Sequence, residues 1–257
     1  ERETITAEVV SSDEPVAEES TTPAPTPDKG DNFTITDDNL GDGGAKMKFR
    51  ANVDAIRTLK TLEAEKRPAT AEEKEILSKY VGWGALAKAF DKNDEKWAAE
   101  YKELSELLTP QEYAQARSTV NDAFYTSPTV IDGIYEALGN FGFDGGAVLE
   151  PAMGIGNFFG RMPEAMQSHS QLYGVEIDSL SGRIAQALYP DADIAIQGFE
   201  QNRFQNGCFD VAIGNVPFGE LSFREENPIK VHPNIIYSTF CGSRMFLFSV
   251  SPLSRNL

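Results

Sequence analysis

Val148-Leu-Glu-Pro-Ala-Met-Gly-Ile-Gly-Asn-Phe-Phe-Gly160 decides how the rest of the chain is read. The apolar run Ala147-Val148-Leu149 predicts a strand that ends on an acid, Glu150. Pro151 follows, and Gly154 and Gly156 form a loop that opens a helix at Asn157, running to about Met166. Glycine lets the backbone turn sharply and approach a ligand closely. The N-terminus of the helix leaves backbone donors facing the same space. About 20 residues further on, Tyr173-Gly-Val-Glu-Ile-Asp178 predicts a second strand ending in acids, where nucleotide-binding α/β folds hold ribose hydroxyls.

The dinucleotide fingerprint wants a third Gly or Ala where this chain has Phe159, which argues against a nicotinamide dinucleotide. Glu150-Pro151 ahead of the loop favours another adenosine ligand, S-adenosylmethionine, whose charged amino-acid end needs a carboxylate near the first strand. Taken alone, the loop also fits ordinary strand-end glycines. A second stretch narrows the choice. Phe209-Asp-Val-Ala-Ile-Gly-Asn-Val-Pro-Phe-Gly219 is an apolar strand ending in Asn215-Val216-Pro217-Phe218. Together the two stretches resemble the paired signature of amino-group methyltransferases, a cofactor loop followed by Asn-Pro-Pro-Tyr/Phe at the end of the fourth strand. Val216 stands where that pattern has its first Pro.

A chain of 257 residues has room for one sizeable catalytic core plus extensions. Its net charge of −17 is concentrated at one end: residues 1–45 hold twelve acids against Arg2 and Lys29. The remainder is only mildly acidic, so affinity for nucleic acid through phosphate neutralisation needs a local patch or residues outside this chain. Cys208 and Cys241 cannot make a disulfide framework, and no zinc spacing or other metal site is legible. Neither a signal peptide nor an apolar run of membrane length occurs, so the expectation is a cytoplasmic chain without a membrane partner. It begins at Glu1 without a methionine and reads as a piece of something longer.

Residues 1–45, rich in Glu, Asp, Thr, Ser and Pro, predict a disordered acidic linker, because they bury too little apolar surface to offset ordering entropy. Residues 46–120 turn helical. Phe49, Val53, Ile56, Leu59 and Leu62 share one face. Thr70 with Glu73 makes a capping box for a helix carrying Ile76, Leu77 and Tyr80, and Thr109-Pro110-Gln111-Glu112 repeats the device. Trp97, Tyr101, Leu104 and Leu108 make a further apolar stripe. In Gly82-Trp83-Gly84 a tight turn either presents or buries the indole, and composition does not say which. Residues 121–226 predict a methyltransferase core. Thr126 or Ser127 caps a helix with Pro128 in its first turn and Val130, Ile131, Ile134 and Leu138 facing inward. Ser179 to Leu188 predicts a helix and Asp193–Gln197 a third strand. Alternating strand and helix with short links is what a doubly wound, Rossmann-like parallel sheet requires.

The resemblance covers about Met47 to Gly219 and is to gamma-type adenine-specific DNA methyltransferases. The segment around Trp83 is similar to one ahead of the methylase motifs in large methylase–helicase fusion proteins of bacterial mobile elements. The resemblance implies that Phe124, Tyr125, Thr126 and Pro128 lie against the methionine end of S-adenosylmethionine. Glu150, Pro151, Gly154 and Gly156 serve the same end. Glu176 takes the ribose, with Asp178 the weaker alternative, and Glu200 approaches the adenine amine, although a surface-loop acid explains it equally well. Asp210 is expected near the adenine or the sheet end. It also implies DNA as partner, with a flipped-out adenine, and a helicase segment in the same parent protein.

For the chemistry, Asn215 and the carbonyl of Val216 would hold the two N–H groups of adenine's exocyclic amine. Pro217 would stiffen the turn and Phe218 would stack on the flipped base. The cofactor's sulfonium is the electrophile, so neither a metal nor a covalent nucleophile is needed. Two alternatives stay open: a protein-glutamine or RNA-base methyltransferase, and a non-catalytic remnant acting through its interactions. After Gly219 the remaining 38 residues are fewer than a sheet of this type still requires, and residues 227–257 contain no Asp or Glu. That tail is expected to be foreign to the fold, through truncation or a shifted frame, leaving the sheet incomplete and the activity of the segment itself open.

Overall fold

The computed structural model describes residues 31–84, 86–120, 126–205, 207–215 and 247–248. Four helices come first: α1 (Ala45–Glu65), α2 (Ala71–Leu77), α3 (Ala98–Leu107) and α4 (Pro110–Ser118). On α1 the apolar stripe Phe49, Val53, Ile56, Leu59 and Leu62 is buried as its spacing predicts. Both capping boxes form, at Thr70 with Glu73 and at Thr109 with Glu112. Each satisfies two backbone donors that a helix start otherwise leaves unpaired. On α2, Leu77 is buried and Tyr80 beyond it too, but Ile76 is 37% exposed and Lys74 takes an inward position.

The Gly82-Trp83-Gly84 turn buries its indole, which is 1% exposed. Trp83 meets Phe90, Tyr80 and Phe49 edge-on, with ring centroids 5.2, 6.2 and 6.5 Å away. Asn52, fully buried on α1, fixes the turn from beneath: its side chain donates to the Gly82 carbonyl at 2.6 Å and accepts from the Val81 N–H at 2.8 Å. A buried amide that satisfies two backbone groups specifies one geometry for the turn.

Beyond these helices, α5 (Pro128–Asn140) leads into an alternating run. It comprises β1 (Ala147–Glu150), α6 (Asn157–Arg161), α7 (Glu164–Gln167), β2 (Gln171–Glu176), α8 (Ser179–Leu188), β3 (Asp193–Ile196) and β4 (Val211–Ile213). A two-residue strand β5 (Leu247–Phe248) lies beside β4. All pairings are parallel and the strand order is β3-β2-β1-β4-β5. This is the doubly wound, Rossmann-like sheet expected from the sequence. The chain steps outward from β1 to β2 to β3, then crosses back to β4, so the order reverses between β1 and β4. Folds of this type bind ligands in the crevice at the carboxyl ends of the strands flanking that reversal.

One core cluster joins the helical region to a face of the sheet. It runs from Phe49, Trp83 and Leu104 through Leu138, Phe159 and Ile184 to Val148, Leu172 and Ile213. The alternate strand residues Leu149, Val175 and Ala212 form a smaller cluster with Phe209, and Phe199 and Phe204 pack against it.

Three local expectations need correcting. The single helix from Asn157 to about Met166 is two short ones, because Pro163 forces Met162 out of the helical region to ψ 129°. On α5, Val130 is 37% exposed, and Tyr135 faces inward beside Ile131, Ile134 and Leu138. Within the acidic segment, the stretch from Asn32 to Asp38 is not a free linker: Ile35 is 4% exposed and Phe33 packs against the core. Of the tail, Leu247 and Phe248 pair with Ala212 and Ile213 at the sheet edge, as an unpaired strand edge accepts any extended neighbour. The other tail residues, residues 1–30 and residues 121–125 lie outside the described residues.

Candidate active site at the strand switch point

β1 ends on Glu150 and β4 ends two residues before Asn215, and the two strands run parallel with Val148 opposite Val211. Both following turns therefore leave from the same edge of the sheet. They also lie close together: a Cβ built on Gly214 would be 3.5 Å from Cγ of Glu150 and 3.6 Å from Cδ of Pro151. Asn215 itself is half-buried. Val216, Pro217 and Phe218, the other expected substrate-holding residues, lie outside the described residues, as do Phe124 and Tyr125.

Gly154 and Gly156 adopt φ values of +57° and +83°, a left-handed region that side chains with a Cβ rarely enter. At Gly156 a Cβ would also lie 2.6 Å from the Tyr189 ring. The loop N–H groups are mostly used internally. Met153 donates to the Val175 carbonyl at 3.1 Å and Gly156 to the Met153 carbonyl at 2.8 Å. Gly154 donates to Oε2 of Glu176 at 2.6 Å. Among the described residues the N–H groups of Asn157, Phe158 and Phe159, at the start of the five-residue helix α6, meet no backbone acceptor. The loop adds its shape and its acceptors.

Those acceptors are acidic and buried. Glu150 is 2% exposed, and its Oε2 has no hydrogen-bond partner. Burial, reinforced by the charge of Glu176, pushes its carboxyl well above the usual carboxylate range. Glu176, at the end of β2, accepts from the N–H groups of Gly154 and Asp178 at 2.6 and 2.7 Å. Burial raises it to about 7 despite those bonds, with Asp178 adding to the rise. Asp178 caps α8 through Oδ2, which accepts from the Ser181 N–H and hydroxyl at 2.9 and 2.6 Å, while its Oδ1 is buried without a partner.

Asn157, the first residue of α6, adds a buried Oδ1 without a partner. Sequence reasoning missed it as a site residue; its position directly after the second loop glycine was the available signal. Thr126 is half-buried with its hydroxyl likewise shielded and unpartnered, and Pro128 opens α5. Native proteins rarely leave buried acceptors unpaired. Several of them on the loops after β1 and β2 favour a ligand that brings N–H and O–H donors, and positive charge beside Glu150.

Two further expected residues make contacts of their own. Glu200 is exposed in a short turn after β3, its carboxylate folded back against Gly198 and the Gln201 side chain. Asp210 sits at the opposite edge of the sheet, where its Oδ2 accepts from the Ala147 N–H at 2.9 Å. It therefore ties the starts of β1 and β4 together, at the sheet end that was expected as the alternative to the adenine.

Comparisons with known proteins can be set beside this geometry. No family model matches the chain. Defense against restriction protein B of Escherichia phage P1 is 30% identical over 176 residues, 68% of this chain and 6% of the phage protein. The chain thus spans a small fraction of that relative's length. Among solved structures, one described as a class I S-adenosylmethionine-dependent methyltransferase of Listeria monocytogenes has 17% identity and a TM-score of 0.43, covering 81% of this chain and 74% of that one. An S-adenosylmethionine-dependent methyltransferase structure from Methanococcus maripaludis has 19% identity and a TM-score of 0.33, covering 62% and 65%. The type I restriction-modification methyltransferase subunit of Streptococcus thermophilus has 12% identity and a TM-score of 0.37, covering 80% and 68%. Among the described residues there is no cluster of three or more metal-ligating side chains. No described helix is long and apolar enough to cross a membrane.

Proposed function

We propose that this segment binds S-adenosylmethionine at the β1/β4 switch point and serves methyl transfer to the exocyclic amine of adenine in DNA. The observation that carries the reading is Glu150: a buried carboxyl whose Oε2 has no hydrogen-bond partner, close beside the turn that carries Asn215. The donor-seeking groups fit the cofactor chemically. Glu150 would take the ammonium of its amino-acid end, and Glu176 or Asp178 the ribose hydroxyls. Asn157 supplies a further acceptor beside the glycine loop. When bound, the cofactor supplies a methyl group on a positively charged sulfur.

The chain's own residues would do the rest by placement. The amine of adenine is a poor nucleophile because its lone pair is delocalised into the ring. Asn215 would accept from one amine N–H and the carbonyl of residue 216 from the other, favouring a tetrahedral nitrogen as the bond forms. A carbonyl comes from any residue type, so Val216 is compatible with that role. Aligning the amine in line with the methyl at about 3–3.5 Å is the main contribution asked of the protein. Phe218 would stack on the base once it leaves the duplex. A relative named for defence against restriction supports DNA as substrate, since modifying a base in a recognition site is one way to prevent its cleavage.

Calorimetric titration with S-adenosylmethionine, followed by a methyl-transfer assay offering duplex DNA, RNA and protein, tests the reading. Asn215→Ala should leave cofactor affinity within about twofold while lowering any transfer by at least about 100-fold. Loss of binding and transfer together would instead make Asn215 a structural residue. Transfer to protein or RNA but not DNA would replace the substrate assignment, and a folded sample that binds no cofactor would remove it.

A further inference from the structure

We propose that the extended segment from Asn32 to Asp38 is a positioning strap for the glycine loop, holding α6 and, through it, the turn Gly154–Gly156. Its link to cofactor affinity rests on the reading of that turn as the cofactor site. The segment lies in the acidic stretch that composition marks as linker, yet it is fastened at both ends and in the middle. Near its start, the buried Lys74 of α2 donates to the Asp31 carbonyl. Asn32 Oδ1 accepts from the Asp191 N–H at 3.0 Å. The Phe33 N–H donates to the carbonyl of Leu188 in α8 at 2.9 Å, and the Ile35 N–H to the carbonyl of Gly160 in α6 at 2.8 Å. Arg161 closes the other side, donating to the Ile35 carbonyl at 3.1 Å, to Asp38 at 3.0 Å and to Asp132 of α5.

The side chains follow the strand alternation: Phe33 and Ile35 face in, Thr34 and Thr36 face out. Ile35 fills a hole that exists because residue 160 is glycine. A Cβ there would lie 2.6 Å from Ile35 and 2.6 Å from the Tyr189 hydroxyl. The ring of the same tyrosine packs on Gly156, the N-cap of α6. Ile35, Tyr189 and the two glycines thus form a continuous column from the strap to the loop. With five residues, α6 is far too short to be stable alone, so its orientation is set by what packs on it. Shifting α6 shifts the loop whose Gly154 N–H is held by Glu176.

Hydrogen exchange of the amides of residues 153–160, without ligand, reads the strap directly, because Met153, Gly154, Gly156 and Gly160 are all hydrogen-bonded donors. Ile35→Asp should speed their exchange about tenfold, leaving the β1 and β2 amides unchanged, and weaken S-adenosylmethionine binding about tenfold in calorimetry. Ile35→Ala should move both readouts the same way by less, and Thr34→Asp, on the outward face, should move neither. If Ile35→Asp does not fold, Ile35→Ala decides. Unchanged exchange at residues 153–160, or an equal rise across the whole molecule, would overturn the strap as a positioning element. If the wild-type chain binds no S-adenosylmethionine, the cofactor reading fails by itself and the exchange comparison still decides the strap.

Discussion

Two buried glutamates, Glu112 in the helical region and Glu150 at the sheet edge, are treated in opposite ways by their surroundings. Glu112 is 7% exposed. One oxygen accepts from Lys60 at 2.8 Å and from the Thr109 N–H at 2.9 Å, and the other from Arg183 of α8. Desolvation would raise it, but these bonds hold it down to about 2. Glu150 is buried as deeply, has no cation beside it among the described contacts, and is pushed up. The first carboxylate welds α1, α4 and α8 together and its role is finished within the fold. The second costs stability by itself, which makes sense where a positively charged ligand compensates.

The contrast breaks most easily at Glu112. Glu112→Ala strands Lys60, leaves Arg183 with Glu63 alone and removes the capping-box acceptor, and should cost about 3 kcal/mol in urea unfolding, at the lower end for a buried pair because both cations keep some solvent. A loss below about 0.5 kcal/mol, the size of an exposed pair, would mean that the network contributes little. Acid sharpens the same point. Since Glu112 is depressed, its contribution is present above the ordinary carboxylate range and should vanish as pH falls from about 4.5 to about 2.

Glu176 should behave with the reverse sign. Its carboxyl is raised to about 7 in the fold, so the native state binds more protons than the unfolded chain between about pH 4.5 and 7. Stability is then highest at the acid end of that window and declines as pH rises through it, by roughly 2 kcal/mol from this group. Glu176→Gln should flatten that slope in ligand-free unfolding curves; an unaltered slope would place the proton elsewhere. The smallest effect is expected at Glu150. Glu150→Gln should hold or raise stability by ~1 kcal/mol at pH 8, because it removes a buried ionisable carboxyl without stranding a cation. A clear destabilisation would show that Glu150 has a structural partner after all.

Legibility in the sequence follows the range of the interactions involved. The stripe on α1, the capping boxes at Thr70 and Thr109, and the strands ending at Glu150 and Glu176 all rest on neighbours within a few residues, and all are readable. The break at Pro163 is equally local, since a proline disfavours helical geometry in the residue before it. What sequence could not supply is pairing across long separations: Glu112 with Arg183, Asp210 with the start of β1, and Ile35 with Gly160. Composition misled at Asn32–Asp38 because acidic residues around it outweigh the two apolar ones that dock. For the candidate site, residue types marked Glu150, Glu176 and Asn215, but only the fold shows which acids are paired and which are not. Asn157 needed the same information.

The central claim is that the turns after β1 and β4 open onto one ligand pocket. Hydrogen exchange with and without S-adenosylmethionine, followed across residues 150–157 and 211–216 in one sample, tests it most directly. The account predicts that both stretches gain protection together at the same half-saturating concentration. Protection of one stretch alone, or of neither at saturating cofactor, would contradict it.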